Sequence, residues 1–262
     1  MIITKIVNLL RLSIKDNMNF DQKNRIIIDS QIAFSKKEFL KVVHDLQRSM
    51  MDSAGIITKE GNVLIELGAG VLPMKLNFPD VKSTDIVEAE HLDGVLDATN
   101  LELGDETVDA IFLQNTFHHI PDPSSFFAEC TRVLKMGGRI IILDPYFNYI
   151  SSILYPNLFK SESFDKQGSW IDANLHPMIG ANQALSYIVF QRDRKKFETL
   201  HPDLKILSGT PHTSGLRYLL SGGINFHKIA PSWAFQFIRS CERQSRIWNM
   251  SAIHWVITIE KS

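Results

Sequence analysis

The run Asn62–Val63–Leu64–Ile65–Glu66–Leu67–Gly68–Ala69–Gly70 constrains the fold of this chain more than any other stretch. An apolar segment reaches an acidic residue and then breaks into two glycines one residue apart. Physically this is a buried strand whose carboxyl end turns sharply and leaves backbone open to a ligand. A Gly-x-Gly turn is a weak signal by itself, and the residues downstream of it decide its meaning. Where a dinucleotide fingerprint requires a third glycine, the chain carries Val71, Leu72 and Pro73, so the nicotinamide pattern is not met. Asn77-Phe78-Pro79-Asp80 then keeps the next helix short.

Downstream, strand and helix patterns alternate. A second strand covers Val81–Ile86, and Asp85 follows Glu66 at about the twenty-residue spacing at which an acid receives ribose hydroxyls. Gly94–Thr99 is a third short strand ending in Asp97 and Ala98. Val108–Leu113 is a fourth, closed by Gln114-Asn115-Thr116-Phe117-His118-His119-Ile120. The helix Ser124–Leu134 carries Phe126, Phe127, Val133 and Leu134 on its apolar side. A Met136-Gly137-Gly138 turn leads into a fifth strand, Arg139–Leu143, ending at Asp144-Pro145-Tyr146. Lys205–Leu207 and His254–Ile259 supply a sixth and a seventh strand, with the last pairing beside the sixth. This alternation predicts an α/β protein with a doubly wound, mostly parallel sheet, in which ligands bind beyond the carboxyl ends of the strands. Glu66, Gly68, Gly70, Asp85, Asp97, Asn115 and Asp144 all fall there.

Residues 1–60 read as helices that cover the sheet or close over the ligand. Ser35-Lys36-Lys37-Glu38 has the form of a capping box, with Phe39, Leu40, Val43, Leu46 and Met50 coming after it at helical spacing and Gly55 as the stop. Met1 to Ile14 is amphipathic. A helix packed on the domain is favoured over peripheral contact with a membrane, and a signal peptide is not expected. No uncharged apolar run approaches the roughly 18 residues of a membrane span. The net charge of −1 gives no electrostatic case for nucleic acid as a partner. Two cysteines, Cys130 and Cys241, in no metal-like or redox-like spacing point to a reduced, cytoplasmic protein. No His/Cys/Asp cluster has ligand spacing, so no metal is expected.

The ordered set resembles a class I S-adenosylmethionine-dependent methyltransferase of the type 11 kind. It runs from Glu66-Leu67-Gly68-Ala69-Gly70 through Asp85, Asp97-Ala98, Val108-Asp109-Ala110-Ile111 and His118-His119-Ile120 to Arg132-Val133-Leu134-Lys135-Met136-Gly137-Gly138-Arg139-Ile140. The resemblance implies a Rossmann-like doubly wound seven-stranded sheet with an antiparallel terminal strand and cap insertions. One methyltransferase domain would span 1–262: N-terminal helices over 1–60, a cofactor-binding core over 61–145, and insertions over 146–200 and 211–251 forming the substrate side. The cofactor would be S-adenosyl-L-methionine, with S-adenosyl-L-homocysteine as product. Gly68 and Gly70 would lie against its methionine part, with Glu66 orienting that turn or facing the ammonium. Asp85, with Ile86 beside it, would hold the ribose. Asp97 and the Ala98 amide would hold the adenine, and Asn115 would sit beneath the sulfonium. Gly180-Ala181-Asn182-Gln183-Ala184-Leu185, Phe190-Gln191-Arg192-Asp193-Arg194 and Arg217-Tyr218-Leu219-Leu220-Ser221-Gly222-Gly223 resemble a narrower bacterial group often associated with surface-polysaccharide genes. The segment Phe159-Lys160-Ser161-Glu162-Ser163 departs from that group, which would have His, Glu and Pro there.

Methyl transfer from a sulfonium is an in-line displacement helped mostly by positioning, and a hydroxyl acceptor also needs a base. His176, His119 and Asp144 are the catalytic candidates. Being adjacent, His118 and His119 are expected to point different ways. Tyr146, Trp170 and Arg217 are candidates for the substrate side, and His212 is a weaker one. The expected acceptor is a small molecule or glycan, methylated on oxygen. A quinone, lipid or other metabolite, and a non-catalytic adenosylmethionine-binding protein, stand as alternatives.

Overall fold

The strands are β1 (Leu64–Leu67), β2 (Val81–Asp85), β3 (Gly94–Val95), β4 (Val108–Gln114), β5 (Leu134–Pro145), β6 (Leu204–His212) and β7 (His254–Lys261). They form one sheet in the order β3-β2-β1-β4-β5-β7-β6. This computed structural model describes residues 12, 22–55, 61–158, 162–171, 181–244 and 252–262. β1 pairs parallel with both β2 and β4, and β4 pairs parallel with β5. β7 runs antiparallel between β5 and β6. The chain steps outward from β1 to β3 and then returns to the other side of β1. The reversal opens a crevice at the carboxyl ends of β1 and β4, where such sheets bind ligands.

The sheet is apolar on both faces, which explains why β4 reads Ala110-Ile111-Phe112-Leu113 without alternation. On one face the helix Lys37–Ala54 lays Val42, Leu46, Met50 and Ala54 against Leu64, Phe112, Ile141 and Val256. On the other, Phe126, Phe127 and Cys130 of the helix Pro123–Val133 join Phe117, Phe190 and Phe197 over Ile65, Ile111 and Ile142. The glycine turn is followed by a single 3₁₀ turn, Met74–Leu76, in place of a long helix. Among the described residues no helix is long and apolar enough to cross a membrane.

Several local expectations are corrected. Ser35 caps nothing: its hydroxyl donates back to the Ile32 carbonyl at 2.7 Å, and the Lys37–Ala54 helix has at its N-cap Lys36, whose side chain makes no capping bond and donates instead to Gly223 O and Phe226 O. Gly55 does end that helix, in the left-handed region at φ 59°. β3 stops at Val95 because Asp97 folds back to accept from the Thr99 amide at 2.8 Å. β5 starts at Leu134 rather than after the glycines. Its pairing with β4 jumps from Val108↔Leu134 to Ala110↔Arg139, so Gly137-Gly138 forms an excursion inside the strand. β6 runs on to His212, into the start of the expected second insertion. Ile188–Arg192 is a π-helical turn, and the helix Arg194–Leu200 follows it. The N-terminal amphipathic stretch lies outside the described residues, apart from Leu12.

Candidate active site

Gly68 and Gly70 have φ of 70° and 48°, values at which a Cβ is strained. At Gly68 a Cβ would also meet Thr116 Cγ2 at 2.2 Å. Thr116 belongs to the loop leaving β4, and its hydroxyl donates to the Gly68 carbonyl at 2.9 Å. The absence of a side chain at Gly68 thus lets the two loops at the switch point touch. Asn115, just before Thr116, is held at φ 52° with its amide donating to Leu143 O at 2.7 Å. A non-glycine residue in that region costs energy and marks a position fixed by its surroundings. Asp85 closes the other side: Oδ2 accepts from the Gly70 amide at 2.9 Å and Oδ1 from the Val87 amide at 3.1 Å. Each oxygen keeps a second lone pair for a ligand hydroxyl. His91, which sequence reading passes over, sets Nε2 2.9 Å from the Gly70 carbonyl. It stands alone between acidic loop residues, and no spacing signals it.

Glu66 lies wholly buried beneath this turn. Its Oε2 accepts from the Met74 amide at 2.7 Å and from the Ser83 hydroxyl at 2.6 Å, and Oε1 has no hydrogen-bond partner. Burial pushes its pKa up to about 7, against the lowering effect of those two bonds. Between its unfolded value of 4.5 and about 7, the unfolded chain binds fewer protons than the folded one. Stability therefore falls as pH rises through that window and is flat above it. Glu66→Gln removes this cost, so in urea unfolding the variant should gain on the wild type by roughly 3 kcal/mol between pH 5 and pH 8. A pH-independent difference would show that Glu66 ionises normally in its buried place.

The most concentrated chemistry lies across the crevice, at the ends of β4 and β5. Asp144 is fully buried at the end of β5, and its Oδ1 sits 2.7 Å from His118 Nδ1. On the other side of the ring, His118 Nε2 is 3.7 Å from Glu162 Oε2, while His119 Nε2 is 3.9 Å from Glu162 Oε1. Adjacent histidines are expected to diverge. Instead the two rings tilt together, with centroids 4.4 Å apart, because Glu162 reaches both with its two oxygens from outside the turn Phe117–His119. Burial alone would lower the His118 pKa, but the charges and bonds of Asp144 and Glu162 raise it to about 10. Burial likewise pushes Glu162 upward, and the two imidazoles overcome it and hold the carboxyl at about 2. Burial raises Asp144, with the imidazolium beside it acting in the opposite sense.

Glu162 is the site residue that sequence reading misses. It is placed by chain far downstream: the Ser163 amide donates to Ala181 O at 2.9 Å and the Gln183 amide to Ser163 O at 3.0 Å. The Asp165 amide donates to Asn182 Oδ1 at 3.0 Å, and the Gln183 side chain donates to the Glu162 carboxylate. The Ala181-Asn182-Gln183 run therefore acts as a brace for Glu162. The motif-like look of that run is the one signal the sequence offers.

The remaining candidates scatter. Asp97 is exposed and bound up with Thr99, Ala98 packs at the margin of the core, and Ile86 is exposed. Tyr146 leaves β5 half-buried, its ring centroid 5.6 Å from that of Trp255. Trp170 is buried and donates to Asp193 at 3.0 Å with Lys196 over its face, which makes it part of the local core. His212 bonds to Ser214, and burial lowers its pKa to about 4. His176 falls outside the described residues.

Arg217 is buried between Glu242 and Asp45, with Nη1 2.7 Å from Asp45 Oδ2. It ties the helix Gly215–Ser221 to the helices Lys37–Ala54 and Ser232–Gln244. Arg217→Met should cost about 3–5 kcal/mol in a chemical melt, because two carboxylates lose their shared cation. A normal melting point combined with a raised acceptor KM would instead make Arg217 a substrate ligand.

Residues 80–142 match the family model described as a methyltransferase domain. Among solved structures, geranyl diphosphate C-methyltransferase from Streptomyces coelicolor A3(2) superposes with a TM-score of 0.51 at 15% identity, over 83% of this chain and 78% of that one. It was solved with Mg²⁺, geranyl diphosphate and S-adenosyl-L-homocysteine. Haemonchus contortus phosphoethanolamine N-methyltransferase 2 aligns at 11% identity and a TM-score of 0.46, over 83% of this chain and 52% of that one. A curated relative, an uncharacterized 37.1 kDa protein in transposon TN4556 of Streptomyces fradiae, is 31% identical over 70 residues. That match covers 27% of this chain and 20% of the relative's length. Sheet order and domain match together define the class: this is a chain with the class I methyltransferase fold. The matched span, residues 80–142, includes Asp85 and leaves the glycine turn outside it.

Proposed function

We propose that this protein transfers a methyl group from S-adenosyl-L-methionine to an oxygen of a small, polar, glycan-like acceptor. The glycine turn fits that cofactor: Gly70 leaves an open approach, with Gly68 O and Asp85 Oδ2 the nearest atoms to a Cβ built there, at 3.9 and 4.0 Å. Asp85 keeps lone pairs for a ribose diol, and Glu66 holds the turn from beneath through the Met74 amide and the Ser83 hydroxyl. Asp97 and Ala98 take the adenine edge, and Asn115 stands below the sulfonium. The cofactor supplies an activated methyl group. The acceptor oxygen attacks the methyl carbon, the carbon–sulfur pair leaves with sulfur to give S-adenosyl-L-homocysteine, and the acceptor's proton must go elsewhere.

The observation that carries this reading is the convergence of His118, His119 and Glu162 at the strand ends opposite the glycine turn, with Asp144 behind them. An acceptor placed between the two halves of the crevice meets the donor on one side and this cluster on the other, where His119 is the member placed to take up its proton. The insertions 146–200 and 211–251 form the acceptor side. There Phe147 and Tyr187 lie with centroids 4.6 Å apart, and Phe147 and Phe164 stack at 6.1 Å. Polar groups beside aromatic faces favour a sugar over a quinone or lipid. The test is calorimetric titration with adenosylmethionine, then mass-spectrometric screening of sugar nucleotides and oligosaccharides for a methyl mass gain. Binding of a nicotinamide dinucleotide in place of adenosylmethionine would refute the reading. Methylation confined to lipophilic acceptors would refute its glycan part.

A further inference from the structure

We propose that His118, His119 and Glu162 form a binding site for one divalent first-row transition ion of the zinc or manganese type. Their three ligand atoms all lie within 4.8 Å of one another. Glu162 faces both rings, each with a different carboxylate oxygen: Oε2 is 3.7 Å from His118 Nε2 and Oε1 is 3.9 Å from His119 Nε2. Ligands at about 2.1 Å in a tetrahedron stand roughly 3.4 Å apart, so a small inward shift of each side chain closes the site.

The support around these ligands is what a metal site requires. Asp144 Oδ1, at 2.7 Å, holds His118 Nδ1 and aims Nε2 toward Glu162, where an arriving ion displaces the Nε2 proton. That is the carboxylate–histidine arrangement which orients metal-bound imidazoles. Gln183 holds the Glu162 carboxylate from behind, and the Ser163–Asn182 bridge fixes its backbone. Two separate pieces of chain, the turn Phe117–His119 and the strap at Ser163, are thus braced toward one centre. Two imidazoles and one carboxylate select transition ions over magnesium or calcium, which prefer oxygen. Three protein ligands leave coordination positions open to an oxygen from solvent or acceptor.

The role of such an ion rests on the proposed methyl transfer; cation binding itself does not. A divalent ion here holds the acceptor hydroxyl and makes its proton more acidic, so that the proton passes to water before the oxygen attacks the methyl carbon. Neither imidazole then has to act as a base.

The test uses the full chain, stripped with a chelator and titrated in turn with Zn²⁺, Mn²⁺ and Mg²⁺ by calorimetry, without cofactor. The expected result is one zinc or manganese ion per chain at micromolar affinity or tighter, with magnesium weaker. His119→Ala and Glu162→Gln should each weaken binding at least 100-fold, while His227→Ala, at an exposed histidine, leaves it unchanged. Folding of each variant is checked by thermal melt. No zinc or manganese binding below about millimolar, or equal affinity in wild type and both cluster variants, overturns the proposal. Adenosylmethionine is titrated separately: cation binding without cofactor binding removes the methyl-transfer reading and leaves the metal site standing.

Discussion

Gly68→Val should abolish adenosylmethionine binding while leaving a folded chain. Two effects add at this position. The backbone sits at φ 70°, where a β-branched residue is strained, and the new Cβ falls 2.2 Å from Thr116 Cγ2. Thr116 cannot step aside cheaply, because its hydroxyl holds the Gly68 carbonyl and Asn115 before it is pinned to Leu143. The loops after β1 and β4 must then separate, and the cofactor loses the surface between them. We expect an affinity loss of at least 100-fold by calorimetry and a stability loss of about 2–4 kcal/mol. Thr116→Ala in the Gly68→Ala background removes both the methyl and hydroxyl clashes and should recover part of the binding. Unchanged affinity in Gly68→Val would mean that the donor does not lie on this turn.

The second large effect is expected at His118. His118→Gln keeps a hydrogen-bonding side chain between Asp144 and Glu162 but removes the imidazole. Turnover should fall by about 10²–10⁴, the range for loss of an acid–base or acceptor-holding group, with cofactor affinity within threefold of wild type. Asp144→Asn keeps the shape and removes the charge that orients the ring, so a loss of 10–100-fold is expected. Steady-state rates and cofactor titrations on the same preparations separate the two sides of the crevice. If His118→Gln weakened cofactor affinity many-fold and kept its kcat at saturating adenosylmethionine, the assignment of donor and acceptor sides would have to be exchanged.

Much of the frame is legible in the sequence because it is written in local patterns. The apolar run into Glu66, the strand-helix alternation and the apolar stretch of β4 each follow from what a doubly wound sheet must bury. Legibility ends where a non-local partner decides the outcome. Ser35 has the look of a cap and bonds backward, because Lys36 and not Ser35 occupies the N-cap. Gly137-Gly138 has the look of a turn before a strand, yet β4 pairs with the chain on both sides of it. Arg217 has the look of an anion ligand, and carboxylates from two other helices surround it.

The candidate site divides the same way. The proposed donor half, Glu66, Gly68, Gly70 and Asp85, lies within twenty or so residues of one strand-turn-strand unit, where local spacing governs geometry. The proposed acceptor half joins His118 and His119 to Glu162, whose place is set by hydrogen bonds with Ala181, Asn182 and Gln183. A carboxylate in an irregular strap has no periodicity to reveal which way it faces. The sequence by itself determined the strand that ends in a glycine turn, and with it the binding edge of the sheet, because backbone sterics and burial act over a few residues. Only the tertiary structure decided which charges meet across that edge, because ion pairing and ligand geometry depend on the packing of segments far apart in the chain.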